Sequence, residues 1–277
     1  MAMRRSTSSI RRHLSPLGAL WLLAAGAAAG SAAPPLGLLP VALLAAVERG
    51  EYVARDARTG EELWRTRWTL ERVGDGRARI RVREDGAGRR GRAEPTKWTV
   101  SMDMDLTPGE ETFSSVKETR SASDRPLETQ SRMVRYKAGT GSVTTVDHEK
   151  GAERSATFAV GPDSVPSEIL STQLRVLPEA SNRELRFQLV TREGKTIPMA
   201  ARIIGQERMT TPAGAFECYK TELALTGVRG LVSQVALPSM LMWHRVDSPH
   251  VWIRYRGPDG GLGSREVVME LVRFEAR

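Results

Sequence analysis

The alternation of apolar and polar residues is the feature that most limits how this chain can fold. In residues 64–71, Trp64 and Trp68 alternate with charged or polar neighbours, and residues 77–83 repeat the pattern with arginine at every second position. Successive side chains of a β-strand point to opposite faces, so this period of two predicts half-buried strands. A Gly-Asp-Gly sequence at 74–76 predicts the tight turn of a hairpin between them.

The same alternation continues along the chain and predicts about a dozen strands in all. Short turn signals separate many of them, so consecutive strands should pair antiparallel. Residues 84–95 are rich in glycine and arginine and are predicted to form a mobile loop. Beyond the first hairpin, the predicted strands are residues 98–104, 112–118, 131–136, 142–147, 185–189, 196–204, 216–225, 231–235, 239–244, 251–255 and 267–274.

One segment, residues 164–177, has the spacing of a helix instead. Apolar residues such as Ile169 and Leu174 recur on one side, Pro166 fits the first turn, and Pro178 ends the pattern. A sheet of about a dozen strands with one apolar face must curl, close or be covered. We therefore expect a mainly β fold, a single curved antiparallel sheet or incomplete β-barrel with one helix packed against it.

The N-terminal segment, residues 1–47, has the layout of an export leader. Four arginines occur within the first twelve residues, residues 14–47 carry no charge, and a small-residue tail ends at Ala33. This order of charged head, apolar middle and small-residue tail is typical of a secretory signal. A second apolar run, residues 36–47, leaves open an uncleaved membrane anchor. We expect residues 48–277 to form one β-rich domain that is periplasmic, or anchored and facing the periplasm.

Charge and cysteine content narrow the class of protein further. The leader arginines account for half of the net charge of +8. Charge alone would allow a nucleic-acid partner, but the predicted export argues against one. The single cysteine, Cys218, excludes an intramolecular disulfide, so burial of apolar surface must stabilise the domain. We expect Cys218 to be a buried, inert thiol.

The second half of the chain carries a recognisable series of motifs. Thr-Pro-Ala-Gly-Ala-Phe stands at 211–216, Met-Trp-His at 242–244, Pro-His-Val at 249–251, and Val-Val-Met-Glu-Leu at 267–271. With Asp163-Ser164 and Leu-Arg-Val-Leu-Pro at 174–178, this series resembles the bacterial envelope proteins grouped as domain of unknown function 3108. The resemblance implies a fold similar to the lipoprotein-carrier clam folds, in which a curved antiparallel sheet wraps around a helix. It implies an envelope location and offers no catalytic residues.

A curved sheet with an apolar face leaves a groove that a helix or a ligand must fill. The sequence therefore favours a non-enzymatic protein that binds an apolar or amphipathic ligand in the concave face of its sheet. The alternative is a structural or protein-interaction module of the cell envelope without a ligand cavity, in which the same residues form an ordinary core. The candidate lining residues are Trp64, Trp68, Trp98, Met102, Phe187 and Trp243.

Two further hypotheses concern chemistry. Met240, Met242 and His244 share one face of a predicted strand, and thioether and imidazole ligands suit monovalent copper. A core-facing methionine stripe is the alternative. An enzyme would require His148, His244 and His250, or a carboxylate cluster, to converge in one cleft, and we predict neither a catalytic residue nor a cofactor.

Overall fold

The computed structural model describes residues 43–73, 79–91, 94–105, 113–161, 163–180, 183–226, 240–260 and 264–277. Most of the predicted leader, the predicted turn at 74–76 and the predicted strand at 231–235 lie outside these residues. Among the described residues, no helix is both long and apolar enough to cross a membrane.

Fifteen strands form a single sheet in the described part of the chain. The first half of the sheet consists of β1 (Val47–Asp56), β2 (Glu62–Val73), β3 (Arg79–Gly88), β4 (Thr96–Asp105), β5 (Phe113–Ala122), β6 (Arg125–Arg135), β7 (Thr140–Asp147) and β8 (Ala152–Ala159). The second half consists of β9 (Ser164–Pro166), β10 (Glu184–Val190), β11 (Thr196–Thr211), β12 (Gly214–Leu225), β13 (Met240–Arg245), β14 (Trp252–Pro258) and β15 (Glu266–Ala276).

The order of the strands places both ends of the described chain at the middle of the sheet. Strand β1 lies between β2 and β15, and β8 and β9 form the two edges. Neighbouring strands pair antiparallel except β9 and β10, which are parallel. The sheet is therefore open, although its two edge strands follow each other in the chain. The expected fold class, a curved sheet or incomplete barrel with one helix, is confirmed.

The helical segment is shorter and less regular than predicted. Residues 164–166 form the edge strand β9, so the prediction that the helix begins at Ser164 is wrong. A 3-10 turn follows at Ser167–Ile169, then one α-helical turn, α1 (Leu170–Gln173), and a second 3-10 stretch at Leu174–Glu179. Pro166 disfavours helical backbone at the residue before it, which leaves Val165 free to pair with β10.

The prediction of a mobile loop at 84–95 is also wrong for its first half. Strand β3 continues through Gly88 and pairs with β4 along its whole length. Gly86 allows this because the Trp98 indole of β4 lies directly over it, where any β-carbon would overlap the ring. Glycine here makes room for a neighbouring side chain and leaves the strand intact.

Two strands, β1 and β8, come from segments that the sequence did not predict to be strands. Strand β1 begins at Val47, and the Leu44 side chain, 3% exposed, already packs with Trp64 and Leu70. Strand β8 is almost wholly exposed, and it carries Glu153 and Arg154. Charged side chains on an edge strand discourage pairing with other chains.

Candidate functional site

The inner face of the sheet, the face that contacts the helical segment, holds most of the predicted lining residues. Trp64, Trp98 and Met102 are between 1% and 4% exposed and share one apolar cluster, against which Trp68 packs. Phe187 lies in a second cluster beneath the helical segment. The structure thus brings four of the six residues together and places Phe187 apart from them.

Trp243 has a different position. Side chains alternate along β13, and the neighbouring His244 reaches the helical segment, so Trp243 lies on the outer face. Its indole N–H donates to Glu207 at 2.5 Å, and the Lys220 and Arg254 side chains lie over its ring. This tryptophan is buried between these charged side chains and an apolar cluster that includes Cys218, Ile253 and Leu271.

The helical segment fills the concavity with apolar side chains. Ile169, Leu174 and Leu177 are each 1% exposed. Ile169 packs into the cluster of Trp64 and Trp98, whereas Leu174 and Leu177 pack with Phe187. Complete burial of such a side chain stabilises a protein by about 1.5–3 kcal/mol. The apolar inner face is therefore covered by the protein itself.

A buried ion pair fastens the same segment to the sheet. The Arg175 Nη1 donates to both carboxylate oxygens of Glu48, at 2.9 and 2.8 Å. The two side chains are 3% and 0% exposed. A charge that deep requires its partner, so the pair fixes the position of the helical segment against β1.

The three residues of the copper hypothesis lie on the inner face of β13. Met242 is buried in the cluster under the helical segment, and Met240 packs against that cluster. The His244 Nε2 lies 3.2 Å from the carbonyl oxygen of Ser171, and burial lowers the pKa of His244 to about 4. Since a carbonyl only accepts, Nε2 carries the proton and is not available as a metal ligand in this arrangement. The copper site stays a prediction.

The remaining nucleophile and imidazole candidates have separate partners. His148 bonds to the hydroxyl of Thr129 on β6, whereas the Nδ1 of His250 bonds to the Arg245 carbonyl at 3.0 Å. Cys218 is fully buried, and burial raises the pKa of its thiol to about 12. In the described residues, no group of three or more His, Cys, Asp or Glu side chains is arranged to hold a metal ion.

Charged side chains surround Trp64 and Trp98 on the inner face. The Arg90 guanidinium lies 5.2 and 5.3 Å from the ring centroids of Trp64 and Trp98, and it pairs with Glu84 at 2.6 Å. The Trp98 indole N–H also donates to Glu84, and that of Trp64 donates to Asp259, each at 2.8 Å. Burial alone would raise the pKa of Glu84, but the charge of Arg90 and the Trp98 N–H outweigh it and hold that pKa below its usual value.

Side chains also join the two halves of the sheet near its open edges. Arg132 on β6 pairs with Glu168 of the helical segment, and its Nη1 donates to the Thr191 carbonyl at 2.8 Å. Glu118 on β5 accepts from Arg192 of the β10–β11 turn at 3.0 Å. Side-chain bonds thus connect the two halves of the sheet, whose edge strands are not paired by backbone hydrogen bonds.

These buried charges are not among the residues predicted from the sequence. A signal was present, because Glu118 and Arg132 have the same phase as the buried Val116 and Val134 in their strands. A charged residue at a core position of a strand requires a buried partner.

Comparisons with known proteins agree with this architecture. The sequence profile of DUF3108, described as a protein of unknown function, matches residues 64–261. The crystal structure of a β-barrel-like protein from Brucella abortus, of domain of unknown function DUF1849, is similar with a TM-score of 0.54 and 9% identity, covering 84% of this chain and 99% of that chain. At such identity, the similarity concerns the fold alone.

Two more distant similarities were found. One is to a Bacteroides fragilis protein described as exported, with a YmcC-like fold (TM-score 0.35, 10% identity, 82% of this chain and 95% of that chain). The other is to a Parabacteroides distasonis protein described as a lipoprotein (TM-score 0.32, 9% identity, 84% and 98%). The comparison with curated proteins gave no match.

Proposed function

The chain belongs to DUF3108, a family of proteins of unknown function, and we propose that this member is an exported, non-enzymatic module of the cell envelope with a filled interior. It acts through its surface as a structural or interaction module. The observation that carries the proposal is the burial of Ile169, Leu174 and Leu177 against the inner face. With these side chains in place, the concavity contains protein where a carrier would contain ligand.

Export is supported by the leader alone. Arginines precede a long uncharged run that ends in small residues, and such segments direct secretion. The non-enzymatic role is supported by the state of the reactive groups. The Cys218 thiol is held protonated by burial, and the His244 Nε2–H is engaged by a carbonyl. Neither group is placed to act as nucleophile or base.

Native mass spectrometry of the protein purified from its own envelope fraction tests both parts. A mass equal to the polypeptide without a bound molecule is the expected result. A mass shortened by the leader, together with recovery from the periplasm, supports export and cleavage. The full-length mass in the membrane fraction indicates an anchor, and recovery from the cytoplasm contradicts export.

A second function, binding of an apolar or amphipathic ligand under the helical segment, is favoured by one observation. The segment has only one α-helical turn, and neither α1 nor the 3-10 stretches carry a side-chain cap. Two apolar clusters meet beneath it, since Val176 and Tyr255 pack against both. Displacement of the segment would therefore expose a continuous apolar surface.

A retained lipid in the native mass spectrum would support this second function over the first. Its matched test is titration of the purified protein with a fluorescent fatty acid. If ligand enters beneath the segment, Leu174→Ala enlarges the site and tightens binding. If the interior stays filled, the wild type shows no saturable binding, and the variant is only less stable.

A further inference from the structure

The outer faces of the two halves of the sheet differ in chemistry. On the second half, charged side chains pair across neighbouring strands, as Arg202 does with Glu222 at 3.2 Å and Arg256 with Glu266 at 2.7 Å. On the first half such pairs also occur, as between Arg81 and Asp103, but two adjacent rows consist mainly of hydroxyl residues. One row across neighbouring strands reads Thr69, Arg83, Ser101, Lys117, Ser131, Thr144 and Ser155, and the row beside it contains Asp85, Thr99, Thr119 and Thr129.

The centre of this hydroxyl-rich surface is recessed. A depression of about 430 Å³ crosses β3, β4 and β5 on the outer face. We call it the outer groove, and its outward-facing side chains are Arg83, Asp85, Thr99, Ser101, Lys117 and Thr119. Neighbouring strands lie about 4.8 Å apart, so these groups form a regular array of donors and acceptors.

The charges of the outer groove are not neutralised by each other. In the part of the chain that the structure describes, Arg83, Lys117 and Asp85 have no ion-pair partner, whereas the adjacent Arg81 pairs with Asp103 at 2.9 Å. Two cations and one carboxylate give the groove a net positive charge. An occupant that matches it carries hydroxyl groups for the serine and threonine side chains and anionic groups for the two cations.

We propose that the outer groove binds an acidic polysaccharide. An acidic polysaccharide repeats hydroxyls and carboxylates along an extended chain, and a recess that crosses three strands fits such a shape. The proposal deepens the proposed function, since an exported module would meet polymers of this class in the envelope. Binding itself is measured on purified protein, so its failure is distinguishable from a failure of export.

The test is isothermal titration of the full purified protein with polygalacturonate, and with neutral dextran of similar length as the comparison. We expect saturable binding to polygalacturonate and none to dextran. The double variant Arg83→Gln/Lys117→Gln should lose at least about tenfold in affinity, because two charge-assisted contacts disappear. The matched control Arg186→Gln/Arg202→Gln removes the same charge from the outer face of the second half, and its affinity should stay within about twofold.

A second pair of substitutions separates recognition of sugar from simple charge attraction. Thr99→Val and Ser101→Ala together remove two exposed hydroxyls and leave every charge in place. We expect a several-fold loss of affinity with an unchanged melting temperature. The proposal is overturned if the wild type does not bind, if the control loses as much affinity as the groove variant, or if loss of the hydroxyls has no effect.

Discussion

One nitrogen of the Arg175 guanidinium, Nη1, bonds to both carboxylate oxygens of Glu48, and both side chains are almost fully buried. One residue belongs to the helical segment and the other to the first strand, 127 residues apart in sequence. The pair therefore connects the helical segment, which fills the concavity, to β1 at the middle of the sheet, between β2 and β15.

Arg175→Met should destabilise the protein by about 3–5 kcal/mol, because it leaves the Glu48 carboxylate buried without a counter-charge and with only the Ala45 N–H as a hydrogen-bond donor. Urea denaturation measures the loss. The double variant Glu48→Leu/Arg175→Met should recover most of it, since neither residue then carries a charge. As a control, Arg186→Ala breaks an exposed pair with Glu184 and should cost less than about 1 kcal/mol. Equal losses for the buried and exposed pairs would contradict the structure.

The buried imidazole of His244 should make stability depend on pH. The folded protein keeps His244 neutral down to a pKa of about 4, whereas the unfolded imidazole titrates near 6.5. The unfolded chain therefore binds more protons between these values, and the free energy of unfolding falls as the pH drops from 6.5 to 4, by about 3 kcal/mol from this group.

Denaturation at pH 7 and pH 4.5 measures this effect, and His244→Gln should remove its share of the pH dependence. The amide of the substituted side chain can still donate to the Ser171 carbonyl. His148→Gln, at an exposed histidine, should leave the pH dependence unchanged. If His244→Gln retains the full acid sensitivity, other groups are responsible.

Gly86→Ala should destabilise the protein by about 1–3 kcal/mol, since the added β-carbon overlaps the Trp98 indole and the strand must shift. Gly205→Ala on β11 is the matched control, because a β-carbon there meets no atom within 4 Å. That substitution should be neutral or slightly stabilising. Thermal unfolding of both variants gives the comparison, and near-ultraviolet circular dichroism reports whether the tryptophan environment changes.

Arg132→Met should loosen the junction between the two halves of the sheet. It removes the pairing with Glu168 and the bond to the Thr191 carbonyl, so the helical segment loses its connection to β6. Amide hydrogen exchange should be at least about tenfold faster in residues 164–173 than in the wild type. Arg154→Met on the exposed β8 is the control and should leave exchange there unchanged; faster exchange in both variants would refute a specific junction.

Local patterns were sufficient to predict the class of fold, and the errors have physical causes. Strand β1 lacks an apolar period because two of its inner positions are Glu48, which pairs with Arg175, and Gly50, which leaves room for the Trp68 ring. Strand β9 exists only through parallel pairing with β10, about twenty residues further on, which no local spacing encodes.

The candidate site was predictable in its apolar part only. Trp64, Trp98 and Met102 follow the alternation that marks an inner face, and they lie there together. The charged partners could not be deduced, because Glu118 meets Arg192 and Arg132 meets Glu168 only after the sheet has curled. Pairing over such distances in sequence depends on the curvature of the whole sheet and has no local signal.

The contact between the first and last strands has a consequence for how the molecule is made. The backbones of Val47 and Arg277 exchange hydrogen bonds of 3.1 and 2.9 Å, and β1 and β15 join the two halves of the sheet. During synthesis, the backbone groups along one edge of β1 have no hydrogen-bond partner strand until the C-terminal residues emerge, since their partner is β15. A product truncated before residue 266 would lack the backbone ladders that join β1 to β14 through β15, and the exposed edges of β1 and β14 would make it a substrate for proteases and for self-association.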